Sequence, residues 1–251
     1  MKKTAALLLL ALLTACGGSS RSGSSTPRYT LTVLAASSLT ESFTTLAHRF
    51  EQQHPGTRVH LSFGGSPTLA QQILAGAPAD VFAAASAAAM TTVTGAGEAV
   101  GTPVTFARNS LEIAVPPGHS TITSLADTTR DGVKLALCAP TVPCGTAAAK
   151  VYAAAGLTPH PVTQEQDVKL VLSKVELGEV DAGLVYVTDV KAAGNRVTGI
   201  AFAEAAAALT AYPAVALRIS RQPVLAGELL ALLTSAEGQE VLRGDGFLPP
   251  G

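Results

Sequence analysis

The chain has 251 residues, a formal net charge of -1, 14% charged residues and no tryptophan. Near-neutral charge removes the electrostatic case for a nucleic-acid partner, and the lack of Trp argues against a large aromatic platform for sugars or bases. About 220 residues follow the N-terminal segment, enough for two modest lobes or one large domain.

Met1-Lys2-Lys3 opens a short positive segment, and the apolar run Ala5 to Leu13 is too short to span a bilayer comfortably. Leu13-Thr14-Ala15-Cys16 reads as a lipobox, so residues 1–15 are expected to be a signal peptide and Cys16 the lipidated residue. The Gly/Ser-rich stretch 16–28 then serves as a flexible tether. The expected location is extracytoplasmic, anchored to the cell membrane without crossing it. Cys138 and Cys144 remain, close in sequence and in an oxidising compartment. A local disulfide is the favoured reading, with a metal site the weaker one because two cysteines need further ligands.

Strand and helix then alternate. Tyr29 to Ala36 reads as a strand, and Ser37 or Ser38 opens a helix with Leu39, Phe43, Leu46, Ala47 and Phe50 on one stripe. Arg58 to Phe63 is a second strand, Thr68 to Ala75 a helix closed by Gly76 and Pro78, and Asp80 to Ala84 a third strand. Arg108 to Val115 and Val133 to Ala139 read as strands, with a short turn at Ser124 to Asp127 between them. Helices are predicted over Thr146 to Ala155 and Asp167 to Leu177. Strands follow over Ala182 to Val187, Val197 to Ala203 and Tyr212 to Leu217, and two helices, Val224 to Leu233 and Ser235 to Arg243, end the chain. The βαβαβ order predicts an α/β fold of parallel sheets flanked by helices. Two such units in series suit a two-lobed clamshell, with a ligand at the carboxyl ends of the strands.

Four loops share one device, a strand end followed by small or polar residues and a helix start. They are Ala35-Ala36-Ser37-Ser38, Gly64-Gly65-Ser66-Pro67, Val142-Pro143-Cys144-Gly145 and Glu165-Gln166-Asp167-Val168. Each helix N-terminus carries unpaired N–H groups and roughly half a positive charge. Three or four aimed at one point sum to roughly +1.5 to +2, close to balancing a dianion without Lys or Arg. The plainer reading is ordinary capping: Ser38-Leu39-Thr40-Glu41 has the form of a capping box, and Ser66 before Pro67 that of an N-cap. Tyr186 ends a buried strand at the same edge, where its hydroxyl needs a partner. No G-x-S-x-G, G-x-x-x-x-G-K-[ST] or H-E-x-x-H motif is present, so no enzymatic activity is expected.

At these residues the chain resembles the molybdate-binding proteins of bacterial ABC importers. The resemblance rests on Ala35-Ala36-Ser37-Ser38-Leu39-Thr40, Ser66-Pro67-Thr68-Leu69-Ala70-Gln71-Gln72-Ile73, Gly76 to Phe82, Gln166-Asp167-Val168, Gly183-Leu184-Val185-Tyr186 and Tyr212-Pro213. It implies a periplasmic-binding-protein clamshell with lobe I over 29–107 and 212–251 and lobe II over 108–211. It also implies an oxyanion held wholly by neutral donors. Hydroxyls would come from Ser38, Ser66 and Tyr186, and backbone N–H groups from those serines, Cys144 and Val168. Molybdate would be bound as an oxyanion, with no protein atom ligating the metal and no cofactor.

The resemblance further implies an ABC permease and its ATPase as partners, for a receptor expected to be monomeric. The chain departs from the family at Gly64-Gly65, where relatives are often richer in serine, and at Cys144, often a small residue. Molybdate and tungstate are too alike in size for the sequence to separate them. The rivals are a receptor for sulfate or another small oxyanion, a receptor for an organic solute, and a membrane-anchored enzyme.

Overall fold

The computed structural model describes residues 27–118 and 121–251. The signal segment, Cys16 and most of the tether lie outside the described residues. In chain order the elements begin β1 (Tyr29–Ala36), a 3-10 turn (Ser37–Leu39), α1 (Thr40–Gln53), β2 (Thr57–Gly64), α2 (Ser66–Leu74), β3 (Val81–Ala83), α3 (Ala87–Gly95), β4 (Ala99–Asn109) and β5 (Leu111–Val115). Then come β6 (Leu135–Cys138), α4 (Pro143–Ala154), β7 (Pro161–Glu165), α5 (Val168–Glu176), β8 (Ala182–Tyr186), α6 (Val187–Ala193), β9 (Thr198–Ile200), β10 (Thr210–Leu217), α7 (Pro223–Thr234) and α8 (Ala236–Gly244).

These strands form two five-stranded sheets, β2-β1-β3-β10-β4 and β7-β6-β8-β5-β9. The parallel core foreseen from the βαβ order is present in each: β1 pairs parallel with β2 and β3, and β6 with β7 and β8. Each sheet also carries one antiparallel strand in its fourth position, β10 in the first and β5 in the second. The fold is thus a two-lobed α/β clamshell with mixed sheets. The chain crosses from the first sheet to the second at Ser110, between β4 and β5, and returns between β9 and β10. At this double crossing Asn109 and Thr210 are register partners.

Burial explains why these segments fold as they do. The α1 stripe read from the sequence (Leu39, Phe43, Leu46, Ala47 and Phe50) is buried without exception against β1 and the terminal helices. Full burial of one such large side chain contributes about 1.5–3 kcal/mol. A second cluster lies on the other face of the same sheet, with Leu69, Ile73, Phe82 and Val93, and a third fills the other lobe around Ile113, Leu135, Val171 and Val185. Gly76 (φ +83°) and Gly178 (φ +67°) end α2 and α5 in the left-handed conformation that glycine adopts without strain.

Several elements differ from the expectation. The strand foreseen over Arg108 to Val115 is two strands, broken at Ser110 where the chain changes sheet. The 4-residue strand β6 and 3-residue β9 are shorter than expected, and α4 starts at Pro143, three positions before Thr146. Four elements had no sequence counterpart, namely α3, most of β4, β7 and α6.

Candidate functional site

All four loops singled out from the sequence converge on one pocket between the lobes. It is lined by residues 36–38, 64–66, 85, 142–144, 167, 168 and 186. Ser38, Ser66, Cys144, Val168 and Tyr186 are thus brought together. Ser38 and Ser66 come from the first sheet's loops, and Cys144, Val168 and Tyr186 from the second's. The pocket measures about 10 Å³, the room of roughly one water-sized sphere. Closed this tightly, it requires the lobes to part slightly for any occupant larger than a water.

The backbone contributes donors because of where these residues stand. Ser66 is the first residue of α2, Cys144 the second of α4 and Val168 the first of α5. First-turn N–H groups have no intrahelical acceptor. Asp167 caps α5 with its side chain, but it accepts from Lys169 N at 2.8 Å and Leu170 N at 3.2 Å, leaving the Val168 N–H uncommitted to it. Among the described lining residues Asp167 alone is charged, and its carboxylate is turned onto its own helix. No Lys or Arg among the described residues lines the pocket.

The hydroxyls have a defined polarity. Ser66 Oγ accepts from the backbone N–H of Ala85 at 2.9 Å. Tyr186 Oη accepts from Thr210 Oγ1 at 3.3 Å. Ser38 Oγ lies 2.9 Å from Tyr212 Oη. Ser66 and Tyr186 each already accept a hydrogen bond, so each keeps its own proton for a ligand. Burial raises the Tyr186 hydroxyl well above the usual phenol range, opposed by the Thr210 hydrogen bond, and it raises Tyr212 likewise. Both phenols stay neutral donors at any physiological pH.

The capping roles weighed from the sequence do not hold. Gly65 is the N-cap of α2, and the Ser66 side chain makes no cap bond because Ala85 engages it. Ser38 is not part of a capping box either. Glu41 turns away from its own helix start and takes Lys169 Nζ at 2.8 Å and 3.0 Å, linking α1 to α5 across the cleft. Lys169 Nζ also forms an ion pair with Asp189 Oδ1 at 3.1 Å. Asp189 is wholly buried, and burial lifts its carboxyl to about 6 against the pull of Lys169. Glu41 therefore presents no bare charge to an anion.

A disulfide joins Cys138, at the end of β6, to Cys144 in the first turn of α4. That fits the favoured sequence reading and leaves no sulfur free there; no metal-binding cluster occurs among the described residues. Gly65 shows how closely the lobes meet. A Cβ there would lie 2.3 Å from the carbonyl oxygen of Gln166 on the other lobe. The close neighbour of the Gly65 backbone is thus the opposite lobe.

Residues 31–248 match the family model of the bacterial extracellular solute-binding proteins. The chain belongs to that family. It is 40% identical over 248 residues to the molybdate-binding protein ModA of Mycobacterium tuberculosis, covering 97% of this chain and 95% of the relative. Its fold is that of the periplasmic molybdate-binding protein of Azotobacter vinelandii, with a TM-score of 0.79, 22% identity, 88% of this chain and 100% of that one covered. The sulfate-binding protein SubI of Mycobacterium tuberculosis shares the fold too, with a TM-score of 0.75 and 16% identity over 88% of this chain and 87% of that one. As an extracellular solute-binding protein, this chain works as a receptor outside the cytoplasm and not as an enzyme.

Sequence reasoning missed the residues behind the site. Asn109, Thr188, Thr210 and the Glu41–Lys169–Asp189 group lie at or near the lobe crossing. Lys169 follows Val168 directly, which was a usable signal. The buried polar Asn109 and Asp189 carry no signal in a single sequence.

Proposed function

We propose that this chain is the receptor of an ABC importer for molybdate or tungstate, held as the intact oxyanion between the lobes by Ser38, Ser66, Tyr186 and the N–H groups of Cys144 and Val168. The observation that carries this reading is a small interlobe pocket in which hydroxyl protons and helix N-termini converge with no cationic side chain. Such a site balances a dianion by fixed dipoles. Offering protons and few acceptors, it disfavours a ligand that must itself carry a proton, as phosphate does near neutral pH. The near full-length likeness to a molybdate-binding protein favours molybdate over sulfate.

The two lobes, one built on each sheet, close about the anion because it contacts both. The closed form then docks on a membrane permease whose ATPase drives import. The receptor acts as a monomer, needs no cofactor, and is tethered to the membrane by a lipid on Cys16.

Calorimetric titration with molybdate, tungstate, sulfate and phosphate tests the reading. One site per chain with tight binding of the first two is expected. Tight binding of sulfate alone would transfer the assignment to a sulfate receptor.

A further inference from the structure

The polarity of Ser66 is fixed by a backbone N–H, which cannot reverse. Ser38 is different. Its partner is the Tyr212 hydroxyl, and between two hydroxyls either can be the donor. If Ser38 donated to Tyr212, it would turn a lone pair instead of a proton towards the ligand. Something must decide the direction.

Asn109 is fully buried at the end of β4, where the chain leaves the first sheet. Its Oδ1 accepts from the Ser110 N–H at 2.9 Å, which fixes the orientation of the amide. Flipping it would set NH2 against N–H. Nδ2 therefore points the other way, to Thr188 Oγ1 at 2.8 Å and to Tyr212 Oη at 3.5 Å. An amide NH2 can only donate. Tyr212, receiving that hydrogen bond, directs its own single proton onward to Ser38, and Ser38 is left with its proton for the ligand.

We infer that Asn109 is a positioning residue that sets the direction of the chain Asn109→Tyr212→Ser38 and so makes the site reject protonated oxyanions. It acts through Tyr212 and touches no ligand. Its contacts also span the lobes, since Tyr212 lies on β10 of the first sheet and Thr188 on α6 beside the second. The relay itself lies within the first lobe, and only the Thr188 contact crosses to the second. The inference rests on the oxyanion reading above.

The test compares wild type, Asn109→Ala and Tyr212→Phe, titrated at neutral pH with sodium molybdate and with sodium phosphate. Either change frees the Ser38 hydroxyl to rotate and to accept a proton from hydrogenphosphate. The ratio of phosphate to molybdate dissociation constants should fall by about 10-fold or more in both variants, the worth of one charge-assisted hydrogen bond. If both constants change by a common factor, Asn109 is merely structural and the inference is overturned. Should Asn109→Ala fail to fold by circular dichroism, Tyr212→Phe decides alone, and an unchanged ratio there overturns it. A wild type that binds no molybdate sinks the oxyanion reading, a result distinct from either.

Discussion

Replacing Gly65 with alanine tests lobe closure apart from folding. Gly65 has φ -65° and ψ 130°, a conformation open to any L-residue, so the first lobe folds normally with alanine there. In the closed form the new Cβ would sit 2.3 Å from Gln166 O and 3.5 Å from its carbon. An ordinary carbon–oxygen contact needs about 3.3 Å, so the lobes must separate locally by about 1 Å. Hydrogen bonds of about 2.9 Å from one lobe's donors would lengthen towards 4 Å and be lost. Losing two such bonds to a dianion costs at least about 3 kcal/mol, or roughly 100-fold in affinity. Calorimetry should show that loss, while the melting temperature without ligand stays near wild type. Unchanged affinity would refute the argument that closure requires the bare glycine.

Other substitutions probe the supports of the site. Glu41→Gln removes the interlobe ion pair but leaves Lys169 with Asp189; given its partial exposure, affinity should fall by about 5-fold or less and become less sensitive to salt. An increase in affinity would contradict a latch role. The Cys138–Cys144 bridge closes a short loop and stabilises by roughly 2 kcal/mol. In a Cys16→Ser chain, thiol titration under denaturing conditions should find no thiol before reduction and two after it. Equal counts would dismiss the bridge.

Asp189 predicts a pH effect. Its folded carboxyl titrates near 6 against an ordinary 3.8, so the folded state holds the proton more tightly than the unfolded chain does. The group's contribution to stability is greatest at acid pH and is lost as pH rises through 6. Asp189→Asn should therefore raise the melting temperature at pH 7.5, by at most about 3 kcal/mol of stability, and the gain should vanish towards pH 4. A melting temperature lowered equally at every pH would refute it.

Much of the fold was legible because its signals were local. The α1 stripe has helical spacing, and β1 was read to the residue, Tyr29 to Ala36. What escaped lacked contrast. The Ala/Thr-rich sequence of α3 shows no periodicity, β4 contains Gly101 and Pro103, and the exposed edge strand β7 has too few apolar residues. The order of the site loops was legible too. Whether Ser66 caps a helix or serves a pocket was not, because that depends on the Ala85 N–H, nineteen residues away in sequence. The link from Ser38 to Tyr212 spans 174 positions, and pairing at that separation is set by the sheet order alone.

The central claim is that a molybdenum oxyanion sits between the lobes on neutral donors. A crystal structure of the molybdate complex, with the metal located by anomalous scattering at the molybdenum edge, tests it most directly. One molybdenum peak per chain is expected, its oxygens within hydrogen-bond reach of Ser38, Ser66, Tyr186 and the Cys144 and Val168 N–H groups. A peak elsewhere, or oxygens contacted by a lysine or arginine, would contradict it.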